Sequence, residues 1–148
     1  MSKLIFMIPL WAGCQGFLIN ALQVCQNKAA RSVTKHDMSI PVQQLLKECG
    51  WRSVRQEMQY HTILQVHKTL VQKNPVYLHS KLTADGSYAY RTRKTSTSSI
   101  RQSQAFKTKL SLCKDSFRWR GAALYESLPW ELRGQQKMGI FKKQLRTV

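Results

Sequence analysis

A chain of 148 residues that is 43% hydrophobic has room for one ordinary domain with a modest core, or for a piece of a larger protein. Its 24 Lys and Arg against 7 Asp and Glu give +17, a field that draws polyanions such as nucleic acid or an anionic membrane surface, with plain solubility as the alternative. Acidic residues this few and this scattered exclude the paired carboxylates that hold two metals for polymerase-type phosphoryl transfer.

Leu4–Leu22 carries no charge, follows Lys3 and is nearly long enough to cross a bilayer. Trp11-Ala12-Gly13-Cys14 approximates a lipoprotein cleavage box, whereas Pro9, Gly13, Gln15, Gly16 and Asn20 interrupt the run. One reading is therefore a membrane-anchored or exported basic protein; the interruptions argue against it. The membrane is the less favoured surface, and an intracellular location is expected.

Phe17–Lys35 has helical periodicity. Leu18, Leu22, Cys25, Ala29 and Val33 form the expected apolar stripe, with Lys28, Arg31 and Lys35 outside it as candidate phosphate contacts. Ser39 is the expected N-cap of a helix over Pro41–Cys49, which Gly50 ends. A longer helix over 52–72 is expected to bury Tyr60, Ile63, Leu64, His67, Leu70 and Val71. His67 falls within that stripe and His61 on its flank, so they read as packing residues, without the third ligand that a metal site needs. Asn74-Pro75 breaks the helix, and a short turn follows, packed by Tyr77, Leu78 and Leu82.

The charge is uneven. Up to Asn74 there are nine basic and three acidic residues, a net +6, and beyond it fifteen and four, a net +11. Residues 83–115 read as a flexible basic linker, with too little apolar content to order itself. Tyr88–Arg91 is a strand candidate there, and Arg91, Arg93, Lys94 and Arg101 flank a Ser/Thr run as further candidate phosphate contacts. In Ser116–Leu145 the spacing suggests strand, turn at Gly121, helix, break at Leu128-Pro129-Trp130, and closing helix. Arg118, Trp119, Arg120, Lys142 and Lys143 are its candidate binding residues. The expected fold is mostly α, a small helical bundle with a basic irregular segment and a short β pair near 88–93 and 116–120. It comprises a helical region over 1–82, the linker, and a tail over 116–148.

Cys14, Cys25, Cys49 and Cys113 form no Cys-x-x-Cys pair and read as small buried side chains in a reducing compartment. There is no Tyr-x-Asp-Asp sequence, no Gly-rich phosphate loop, no Gly-x-Ser-x-Gly elbow and no Cys–His nucleophile pattern. No cofactor, small-molecule substrate or enzymatic activity is expected.

Three segments carry a family resemblance. SFRWRGAALYESLPWELR with FKKQL, ALQVCQNKAARSVT over Ala21–Thr34, and IPVQQLLKECGWRSVRQEMQY over Ile40–Tyr60 occur in this order. Together they resemble the C-terminal region of reverse transcriptases from jockey-like non-long-terminal-repeat retrotransposons. The family's aromatic-Asn pair is replaced here by Tyr125-Glu126. The resemblance implies a thumb-and-tail region lying after the catalytic palm, without polymerase chemistry of its own, and it implies that the first segment is a short buried helix over 3–11 followed by a turn at Gly13–Gly16. Its implied partners are the phosphate backbone of DNA or RNA and the palm itself.

Overall fold

The computed structural model describes residues 7–83 and 116–146, and its described residues form eight helices and no strand. They are α1 (Ile8–Trp11), α2 (Gly16–Thr34), α3 (Val42–Glu48), α4 (Val54–Gln72), α5 (Val76–Leu82), α6 (Phe117–Glu126), α7 (Trp130–Arg133) and α8 (Met138–Leu145). The chain is mostly α, as composition and periodicity implied. It divides into two compact units, Met1–Gln59 and Tyr60–Val148. The division falls inside α4, whose first residues belong to one unit and whose remainder belongs to the other.

Three prolines start helices by one device. Pro41, Pro75 and Pro129 each occupy the N-cap with ψ near 140°, and each carbonyl accepts the first helical hydrogen bond, from Gln44, Leu78 and Leu132. A fixed proline φ suits that position, and the missing N–H has no partner to lose there. The cap of α3 is therefore Pro41 rather than Ser39. Gly50 ends this segment with φ +63°, a conformation that glycine adopts without steric cost.

In the first unit the buried face of α2 is rotated about 100° from the expected stripe, one residue along the helix. Ile19, Gln26 and Ala30 are buried, while Leu18, Cys25, Ala29 and Val33 are exposed. Hydrogen bonding explains the rotation. Gln26 Nε2 donates to the Arg52 carbonyl (2.7 Å), and the Val54 amide donates to Gln23 Oε1 (2.9 Å). Gln23 Nε2 in turn donates to Gln26 Oε1 (2.9 Å) and Asn27 Oδ1 (2.8 Å). The Val54 N–H is one of the orphan donors at the start of α4, and leaving such a group buried and unpaired costs about 1–3 kcal/mol. Two glutamines thus outrank the more apolar stripe. Around them Ile8, Ala12, Ile19, Val54 and Met58 form one apolar cluster, and Ala30, Leu45 and Leu46 form another.

In the second unit Ile63, Val66, Leu82, Ala122, Tyr125, Leu128, Leu132, Phe141 and Leu145 make one core. The buried face of α4 includes Ile63 and His67 as expected, with Thr62, Val66 and Thr69 added and Val71 left 40% exposed. Leu78 and Leu82 of α5 pack inward, whereas Tyr77 is exposed.

The expected strand at 116–120 and turn at Gly121 are both replaced by α6; 88–93, its expected β partner, lies outside the described residues. Ser116 caps α6, its Oγ accepting from the Trp119 amide at 3.5 Å. Gly121 is buried within the helix, where a Cβ would stand 2.8 Å from Val66 Cγ2. Its lack of a side chain allows close approach of α4, and this requirement for closeness, not for a turn, explains the glycine.

Gly121→Ala is expected to lower stability by about 1–3 kcal/mol through overpacking, less whatever helix propensity returns. Gly139→Ala in α8, where an added Cβ meets nothing within 4 Å, is expected to raise it by up to about 1 kcal/mol. Urea unfolding of both variants checks the opposite signs.

Candidate nucleic-acid interface

Helical spacing decides which cations can act together. Lys28, Arg31 and Lys35 follow one another at intervals of three and four, so they fall within about 60° of one face of α2, over roughly 10 Å. Lys28 and Lys35 are exposed and Arg31 is half-buried, with its Nε lacking a hydrogen-bond partner. Lys35 caps the helix in the left-handed conformation, φ 55°. Beyond it His36 Nε2 meets Glu48 Oε2 at 3.1 Å on the surface. That pair is too exposed to contribute much stability.

In the second unit α8 is amphipathic. Phe141 and Leu145 are buried, and Lys142, Lys143 and Arg146 point outward together with Ile140. Lys142 and Arg146 are four residues apart, on the same side of the helix. Arg146 joins the candidate residues through this spacing, which only the helix reveals.

Arg118, Trp119 and Arg120 behave differently from expectation. A strand would have put both arginines on one face. On α6 they are about 200° apart, and all three side chains are half-buried. They do not form one binding edge. Arg91, Arg93, Lys94 and Arg101 lie outside the described residues. The aromatic side chains that stand in solvent among the described residues are Phe17, Tyr77 and Trp130, the last 75% exposed at the start of α7. No signal in the sequence separates Trp130 from Trp119.

The cysteines are not the buried set expected. Cys25 is exposed, and Cys14 and Cys49 are half-buried, while Cys113 lies outside the described residues. No group of three His, Cys, Asp or Glu side chains gathers to hold a metal among the described residues. Nor is any helix among them long and apolar enough to cross a membrane. α1 ends at Trp11, and a turn separates it from α2.

His67 faces the core rather than solvent and holds α8 in place. Its ring has no exposed surface and stacks on Phe141 with centroids 3.6 Å apart and planes 7° from parallel. His67 Nδ1 and the Tyr125 hydroxyl share a hydrogen bond (3.0 Å), and the same hydroxyl stands 3.3 Å from the Arg133 carbonyl. Nε2 is left without a partner at full hydrogen-bond geometry. Burial lowers the His67 pKa below its ordinary 6.5, with the Gln135 backbone opposing more weakly. Burial likewise raises that of Tyr125, against the nearby charge of Arg133.

Comparison with known proteins adds no relative: no family model, curated protein or solved structure matches the chain.

Because the folded state favours neutral His67, its contribution to stability is complete above pH 6.5 and is lost as pH falls below that value toward the depressed folded pKa. Denaturant midpoints are expected to fall through this window in the wild type. In His67→Leu, which cannot titrate, that part of the pH dependence should disappear.

Proposed function

We propose that the chain is a non-catalytic nucleic-acid-binding module, gripping template–primer or target strands through their phosphates. In this reading it corresponds to the region after the palm in a jockey-like retrotransposon reverse transcriptase, and the palm supplies the polymerase chemistry. One observation carries the binding claim. In a chain of +17, two helices each anchor an apolar or polar face in a core and turn cations outward: Lys28 and Lys35 on α2, with Arg31 half-buried between them, and Lys142, Lys143 and Arg146 on α8. Cations at helical spacing follow a backbone without reading bases, so affinity should be nearly indifferent to sequence.

A second reading is favoured by the uncharged N-terminal end of the same face of α2. Leu10, Phe17, Leu18 and Val24 are exposed in a stretch that carries no charge from Leu4 to Asn27. An apolar face of this kind suits the interface of an anionic membrane, with Lys28 and Lys35 against the headgroups. Flotation with vesicles containing phosphatidylserine, compared between wild type and Phe17→Asp/Val24→Asp, separates this from nucleic-acid binding.

For the leading reading, filter binding on duplex DNA should give log K falling by about 0.9 per phosphate engaged as log salt rises. Lys142→Ala/Lys143→Ala should weaken binding for every sequence tested and make the salt slope shallower by up to about 2. Absence of binding at low salt, or an affinity indifferent to salt, would contradict it.

A further inference from the structure

Within the proposed nucleic-acid-binding role, on which this inference rests, we propose that Trp130 is a stacking platform for an unpaired base, making the ligand of the second unit single-stranded nucleic acid. The indole is 75% exposed, yet the backbone beneath it is firmly held. The Gly134 amide donates to the Trp130 carbonyl (3.1 Å), and the Arg133 amide donates to that of Pro129 (3.3 Å). Leu132, two residues along, is buried in the core, and the Arg133 carbonyl accepts from the Tyr125 hydroxyl. A large aromatic ring mounted on a fixed backbone needs little ordering when a ligand arrives, and little binding energy is spent on that step.

The charges around Trp130 sort base from phosphate. Its chain neighbour Glu131 is exposed and acidic, whereas Arg133 of the same turn is half-buried, so the exposed charge here disfavours a phosphate directly against this turn. α7 packs against α8, whose outward face carries Lys142, Lys143 and Arg146. A strand whose backbone follows those cations can turn a base onto the indole. Every base has a π face, so the contact is tolerant of sequence but requires the base to be unpaired. A duplex keeps its bases stacked on one another and offers Trp130 only phosphate and sugar.

The test compares oligothymidylate, which has no stable self-structure, with a blunt DNA duplex, using the full chain. Trp130→Ala should weaken oligothymidylate binding about tenfold while leaving duplex affinity within about twofold. The salt slope should be unchanged, because no counterion contact is removed. Trp130→Phe should retain most of the affinity, and the fall in indole fluorescence when the strand binds should vanish in that variant. Equal losses on both ligands, or no loss on the strand, would overturn the inference while leaving the broader binding role intact. Failure of the wild-type chain to bind either ligand would remove that role and this inference with it.

Discussion

The second unit depends on one buried contact, the face-to-face stack of His67 on Phe141. Phe141 has no exposed surface, and truncating a buried phenylalanine typically costs 3–5 kcal/mol, a large share of the stability of a small domain. The stack ties α8 to α4, and Tyr125 links the same histidine to α6 and, through the Arg133 carbonyl, to α7. The outward direction of Lys142, Lys143 and Arg146 follows from this inward anchor, because a helix that commits Phe141 and Leu145 to a core has no freedom left in how it presents the rest. Gly121 makes a complementary contribution by letting Val66 approach without a side chain between the helices.

The first unit is governed by polar rather than apolar matching. Gln23 and Gln26 serve the backbone where α4 begins, and α2 turns accordingly. The turn leaves Phe17, Leu18 and Val24 in solvent together with Lys28 and Lys35, with Arg31 half-buried beside them. A buried hydrogen-bond requirement thus determines the orientation of a surface that contributes nothing to the core.

Helix content was legible because the periodic segments are long and bounded by proline, glycine and serine; α2, α3 and α4 follow from such signals alone. Which side faces inward was less legible. On α2 the apolar spacing of Leu18, Cys25 and Val33 competes with Ile19, Gln26 and Ala30, and only the distant Arg52 carbonyl and Val54 amide decide between them. Residues 116–120 combine arginine and aromatic side chains that fit a strand as well as a helix. The deciding contact, Gly121 against Val66, spans more than fifty positions and leaves no local trace. For the candidate interface, charge identified the residues while geometry grouped them: α6 separates Arg118 from Arg120, α8 adds Arg146 to Lys142 and Lys143, and α7 exposes Trp130.

The proposal is tested most directly by whether each cationic face, the one on α2 and the one on α8, contacts nucleic acid. Backbone and indole NMR shifts, recorded on the full chain as a short oligonucleotide is titrated at low salt, map those contacts. The account predicts perturbations at Lys28, Arg31 and Lys35, at Lys142, Lys143 and Arg146, and at the Trp130 indole, all of them reversed by salt. Shifts confined to the uncharged N-terminal half of α2, at Phe17, Leu18 and Val24, or no shifts at all, would contradict it.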